Sequence, residues 1–520
     1  MRLQEYNGKR KTKIFEYDIT GGLNSVCNTS GRKVVEMENL SHISYPCISP
    51  REPFHTWEIN NPIESLGSID NHIYHTSDGY WYCDKIVSGT ATSGDKNFLN
   101  FNSKVLMFPD KKSLDPKARK VTPLVVTKTV TVVFINSDLG INAIKNSLSS
   151  INLADHYYPG QGILISGSGK SIVDGYHYIT GVDKENGILY FNNYEFGTAN
   201  INDTYCTITN EIPDMDSVCI CQNRVWGVKG NTVYASKVGD PKSFCAFSRD
   251  GDCSYKFEYP DTDGFTYIME YGGSPILFSK SAIYKIYGDN SKNYEIDIVY
   301  RGGGMLQKDV KSVAEIDNEV YYVSHGRVVK FTGVKSTPVD SFPYSDVSSA
   351  CGGARDGVYY ISYVTENMEN IFLTYDVTSD SWYKQAEFWI NRIVMIQDYL
   401  YGLSENKVYL MSYNGTIPIY SETEVDLKSY FVLDEVFDMG RSLYPERVIL
   451  RADINFDSKL QLEICYDSSY FWETVGEVFG EKFGITYFSI PLKKCDSFKL
   501  RFSGTGPYCV KNVAVECMVE

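Results

Sequence analysis

The sequence predicts an all-β protein: a β-propeller of six to eight blades, seven by motif count, with an inserted small β-barrel domain and a C-terminal β-sandwich. Three observations predict it. Tyr and Gly each occur 41 times against 18 Pro; tyrosine favours half-buried pleated surfaces, and glycine marks the turns between short strands. Seven hairpin-like segments recur along the chain, with one interval far longer than the rest. After residue 419 the pattern changes to longer, evenly alternating strands.

Each repeated segment is a short strand ending in aromatics, a tight polar turn and a second short strand, as in Asn318-Glu-Val-Tyr-Tyr-Val-Ser-His-Gly-Arg-Val328. The segments are 71–82, 104–110, 223–234, 275–284, 318–328, 357–363 and 399–409, with starts 33, 119, 52, 43, 39 and 42 residues apart. Apart from the long interval, this is close to the ~40–50 residues of a four-stranded propeller blade. A lone hairpin exposes an apolar face, and stacking blades buries it and shields the strand edges. Ordinary hairpins in stacked sandwiches are the competing arrangement.

The domains follow from these intervals. Residues 1–121 hold an N-terminal segment and the first blades, and 214–418 hold the remaining blades. The long interval exceeds one blade by roughly 80 residues, which places an inserted β-barrel-like domain at 122–213. Its second half alternates strands with glycine turns, the pattern of a small barrel, and 141–151 reads as its one helix. Residues 419–520 form the sandwich. There, alternation in Ser497–Ser503 sets Phe498, Leu500 and Phe502 on one face, with Lys499 and Arg501 opposite.

The charge balance narrows the function classes. With 65 acidic and 50 basic residues the formal charge is −15, which argues against a protein that wraps nucleic acid or coats anionic membrane. The composition, 43% hydrophobic and 22% charged, excludes wholesale disorder. No apolar run reaches the ~20 residues of a membrane span, and the basic N-terminus lacks the apolar region of a signal peptide. None of the 13 cysteines forms a CxxC pair, so zinc-ribbon and thioredoxin-like readings lose their core spacing. Cys219 and Cys221 share one strand face and read as buried small hydrophobes of a reducing compartment.

The search for chemistry returns no site: no catalytic, cofactor-binding or metal-ligating residue is assigned. Ser166-Gly-Ser-Gly-Lys-Ser171 suggests a P-loop, but Leu164 stands where its first glycine belongs and a strand follows instead of a helix. Ser77-Asp-Gly-Tyr-Trp81 and Thr378-Ser-Asp-Ser-Trp382 resemble Asp boxes without their spacing or glycine, and read as turns with packed aromatics. The seven histidines, His72 and His75 included, make no ligand pattern. The acidic turns 250–252 and 261–263 complete no Ca²⁺ loop.

Four segments, in order, carry a family resemblance. Gly21-Gly-Leu-Asn24 with Val35-Glu-Met-Glu-Asn-Leu40 and Tyr45-Pro-Cys-Ile-Ser-Pro-Arg51 resembles the "GGxN … DMxNM … YPxxSPR" opening of a family of tailed-bacteriophage virion proteins. Lys104–Lys111 resembles its next segment. Pro213–Val228, which contains Asn223-Arg-Val-Trp-Gly227, with Val233-Tyr-Ala-Ser-Lys-Val-Gly-Asp-Pro241 is similar to the "NRLWG … IYxSKxGDP" block of tail stabilisation and nozzle-type proteins. Lys494–Pro507 matches the last segment. The resemblance implies a non-enzymatic structural virion protein with a propeller core and no cofactor. It would be a homo-oligomeric ring, commonly of six, around the DNA channel of the tail, nozzle or head–tail connector. Neighbouring tail, adaptor or portal proteins would be its partners, and DNA only passing cargo. The acidic balance suits such a channel, because like charge does not retain phosphate.

Two other functions compete. One is a host-recognition propeller binding surface glycan, for which Trp81, Trp226, Trp382 and Trp389 are the candidate stacking platforms. The other is a glycan-cleaving propeller enzyme, which needs two carboxylates across a pocket.

Overall fold

The computed structural model describes residues 11–24, 33–148, 150–247, 251–260, 262–339, 347–385, 389–405, 407–413, 421–480 and 482–520. The chain is all-β and of the β-propeller class. It divides into two compact units, 61–310 with 331–336, and 1–60 with 311–330 and 337–520.

The first unit holds four blades, each a four-stranded antiparallel sheet in sequential order, spanning 65–90, 97–123, 217–258 and 265–301. In each, the segment singled out in the sequence supplies central strands. The turns explain why the hairpins close tightly. Gln222 and Asn223 take φ of 51° and 56°, the left-handed pair that a two-residue turn needs to match strand twist, and asparagine tolerates it. Aromatics then fill the blades. Trp81 and Trp226 are wholly buried, and Trp226 meets Tyr294 edge-on at 5.0 Å.

Between the second and third blades lies a seven-stranded sheet. Its order is Gly175–Tyr178, Gly162–Ser166, Thr204–Thr209, Thr127–Ser137, Gly140–Asn146, Ile188–Tyr190 and Gly181–Asp183. The two outermost strands are consecutive in the chain, separated only by Ile179 and Thr180. The sheet therefore curls onto itself as a small barrel around Val132, Ile144, Ile163, Ile165, Leu189 and Ile208. The helix expected over 141–151 is not formed. Gly140–Asn146 is a strand with neighbours on both sides, and a short apolar run rich in isoleucine fits that doubly paired position better than a helix. The only helical turn of the barrel's described residues is Leu153–Asp155.

The second unit holds blades at 314–338, 347–384 and 392–413, the first of them extending through the 331–336 segment of the other unit. Seven blade sheets are thus present among the described residues, matching the motif count. The last is completed from far away in sequence: His55–Glu58 pairs with Lys407–Tyr413, Trp57 opposite Val408. His55 Nε2 lies 3.2 Å from the Tyr413 hydroxyl.

The sandwich is also in this unit. One sheet runs Lys11–Tyr17, Tyr508–Val519, Leu443–Ile454, Lys482–Ser489; the other runs Val34–Glu38, Lys428–Leu433, Ser497–Thr505, Lys459–Tyr466, Glu473–Phe479. Two of its strands thus come from the N-terminal segment. Phe498, Leu500 and Phe502 are wholly buried as their alternation requires, and Arg501 on the opposite face pairs with Glu463 at 2.7 Å. Phe502 stacks on Phe431 at 5.0 Å.

Candidate functional site

The segment with the most specific family likeness, 213–241, lies where the barrel meets the third blade. Arg224 opens the second strand of that blade and is wholly buried. Its guanidinium donates to the carbonyls of Ser236 at 2.7 Å, Cys253 at 2.5 Å and Gly251 at 2.8 Å. The long connection 236–254 is thereby pinned to the blade. A fixed fork of donors suits this task, since one lysine ammonium could not span three carbonyls on two chain segments.

From that connection the remaining polar residues reach the barrel. Lys237 donates to Gly160 O at 2.8 Å and lies over the Tyr178 ring at 5.5 Å. The Tyr158 hydroxyl donates to both carboxylate oxygens of Asp240, at 2.8 and 2.9 Å. Gly162 packs so closely on Cys245 and Ala246 that a Cβ there would strike their backbone, and its amide donates to Ser243 Oγ at 3.1 Å. Asn210 closes the joint. It is 1% exposed, and its amide donates to Leu124 O and Lys242 O while its oxygen accepts from Val126 N. One side chain thus ties both crossings of the insertion to the blade. Tyr158 and Asn210 belong to no motif of the sequence, and Gly162 reads there only as the start of a barrel strand.

A cavity of about 600 Å³ lies in the other unit, between residues 43–53 and the sandwich. Glu52, Asp426, Asp453 and Asp457 line it, with Arg51 as its cation. Arg51 is 6% exposed and fully engaged: Glu424 grips it at 2.6 and 3.1 Å, and it lies 3.8 Å over the Phe54 ring. Asp453 is paired with Lys511. Burial pushes the Cys509 thiol at the cavity wall up to about 11, far from the lowered value that an attacking thiolate requires. The cation of the cavity and one of these four acids are thus held in structural ion pairs.

Trp81, Trp226 and Trp382 are wholly buried, so three of the four candidate glycan platforms are core; Trp389 is half-buried. In the glycine loop, the amides of Ser168 and Gly169 donate to Asp174 at 3.0 and 3.2 Å, and Lys170 donates to Asn202 O and Thr204 Oγ1. A carboxylate of the chain itself occupies the place a phosphate would take. The turn before Trp382 is closed by Asp376, which accepts from Thr378 and Ser379. His75 stacks on Tyr82 at 4.8 Å, whereas His72 Nδ1 meets Asp84 at 2.7 Å. His72, Cys83 and Asp84 offer ligand atoms within 4.8 Å of one another, but Arg119 already pairs with Asp84 at 3.3 Å. Cys219 and Cys221 are both buried, and the described cysteines are free. Asp250 and Asp261 of the acidic turns lie outside the described residues.

No protein family model and no curated protein matches the chain. Its solved-structure neighbours are similar at low identity. The WD40 repeats of RRP9 match with TM-score 0.34 at 6% identity, over 69% of this chain and 99% of that one. Apo AztD from Citrobacter koseri matches with TM-score 0.29 at 10% identity, over 76% and 99%. The N-terminal domain of Nup159 matches with TM-score 0.25 at 10% identity, over 43% of this chain and 60% of that one.

Proposed function

We propose that this chain is a non-enzymatic structural protein of a tailed-bacteriophage virion, a subunit of a ring around the DNA channel in the tail, nozzle or head–tail connector. The observation that carries the reading is the fate of the 213–241 block. Its arginine, lysine and aspartate are consumed in fixing an inserted barrel rigidly to a blade, the work of a building part. The ordered sequence resemblance supplies the identity of the assembly, and the −15 charge suits a wall that DNA passes without adhering.

Negative-stain microscopy of the purified full chain, alone and with a portal or adaptor protein, tests it. A ring with an axial channel is expected, with no DNA retained at low salt. A monomer that binds host cells would favour the glycan-binding alternative, and turnover of a polysaccharide panel would overturn the non-enzymatic reading. A strongly basic lumen would remove the argument from charge.

A further inference from the structure

The sandwich strand Lys482–Ser489 ends its sheet. It pairs on one side with Leu443–Ile454, and among the described residues no strand pairs with its other side. Such edges are usually guarded by charge, proline or a bulge, because their free amides and carbonyls recruit another strand. Here the only charge in the strand is Lys482 at its start. Thr486 and Phe488 point into the core, while Phe483, Ile485 and Tyr487 stand outward at 62%, 54% and 56% exposure. Arg447 lies over the Tyr487 ring at 5.0 Å and is anchored to Glu516 at 2.6 Å, which holds the aromatic in place. Phe479 and Phe456, 63% and 75% exposed, sit at the start of the strand, where Gly480 N donates to Ser458 O.

We propose that this edge is a twofold interface with a second copy of the chain, the two strands pairing antiparallel about Ile485. The register follows from the sequence. Centred there, Ile485 faces Ile485 of the second copy, Phe483 faces Tyr487, Gly484 faces Thr486 and Lys482 faces Phe488. Outward aromatics meet as cross-strand pairs, the favoured stabilising contact of an antiparallel sheet, and no like charges oppose. Slipping the register by one would place outward side chains against inward ones. Two four-stranded sheets become one of eight, and the contact is isologous, the same patch on both subunits.

The area suits a weak contact. Taking ~200 Å² for a full aromatic side chain and somewhat less for isoleucine, Phe483, Ile485 and Tyr487 expose roughly 300 Å² per copy, or about 600 Å² in the pair, the size of a weak, transient interface to which the main-chain ladder adds. The pairing is therefore reversible and concentration-dependent. It joins two copies whatever larger assembly they enter, and it stands independently of the ring reading.

Sedimentation of the full chain from about 1 to 100 µM tests the proposal. A monomer–dimer equilibrium is expected, weakened about tenfold or more by Ile485→Lys, which sets two ammonium groups face to face at the axis. Because Ile485 is exposed, melting should be unchanged and so exclude misfolding. Ile485→Cys should crosslink on mild oxidation beyond the wild-type background, whereas Lys482→Cys should not, since the register separates the two 482 positions by roughly 20 Å. A chain that stays monomeric, an association unaffected by Ile485→Lys, or crosslinking at 482 in place of 485 would overturn it.

Discussion

Replacing Arg224 by methionine isolates the joint between the third blade and the barrel. Methionine reaches only about as far as the arginine Nε, so the space of the guanidinium is left empty, and the carbonyls of Ser236 and Cys253 lose their donor while Gly251 O keeps Ser291 N and Oγ at 3.0 Å. Two effects oppose each other. An unpaired buried acceptor costs about 1–3 kcal/mol, whereas removing a buried guanidinium relieves a desolvation penalty of several kcal/mol. Two carbonyls lose their charged donor and the emptied space adds a cavity cost, so the loss should win by about 2–4 kcal/mol. At about 2–4 °C per kcal/mol for a domain of this size, the unit holding the blade should melt roughly 5–15 °C lower. Hydrogen exchange should localise the loss to amides of Arg224–Lys229 and Thr232–Ala235. Arg224→Lys should fall between the two, keeping the charge but only part of the fork. A Met variant as stable as the wild type would refute the reasoning, because the guanidinium would then cost as much to bury as its bonds return.

Three further outcomes are expected. Burial pushes the Asp110 carboxyl up, but bonds from the Thr92 hydroxyl and amide and from Lys96 outweigh it, so it titrates below the ordinary carboxylate range. A group depressed in the folded state contributes stability above its unfolded pKa and loses it as pH falls through the folded value; melting from pH 5 to pH 3 should show this loss, and Asp110→Asn should remove that part of the slope. Burial raises the thiols of Cys221, Cys245 and Cys351 to about 12, so at pH 8 only about 0.01% is thiolate. Peptide mapping after brief alkylation should find Cys47 modified well before any of these three, and equal rates would sink the assignment. Tyr158→Phe removes a bond to a carboxylate worth about 1.5–3 kcal/mol and should speed amide exchange in Gly162–Ser166 by roughly tenfold or more, with the barrel core unaffected.

The blades were legible because each carries its own local record. The segment 318–328 holds alternation, a left-handed His325-Gly326 turn and aromatics within eleven residues, and no distant part of the chain is needed to read it. The same holds for Ser497–Ser503 in the sandwich. What escaped was non-local. Nothing in Lys11–Tyr17 or Val34–Glu38 says that their partners are Tyr508–Val519 and Lys428–Leu433. The strand Gly140–Asn146 reads as helix for a related reason: its apolar run suits either period, and the deciding neighbours come from elsewhere. At the joint, Arg224 and Lys237 stood out as part of a motif. Asn210 did not, because a lone asparagine carries no signal until both crossings of the insertion are brought to it.

The closing of the last blade sets a schedule for the ribosome. His55 and Tyr413 touch across 358 positions of sequence, so at about 5–20 residues per second the earlier strand waits roughly 20–70 s for its mate. Through that interval, His55–Glu58 is a short unmatched ribbon on a nascent chain whose blades from 65 onward are already able to form. Synthesis therefore leaves this blade open until its partner strand emerges, the pairing of Lys11–Tyr17 with Tyr508–Val519 following later still, and a chain truncated before residue 407 has every earlier blade but nothing for His55–Glu58 to latch onto.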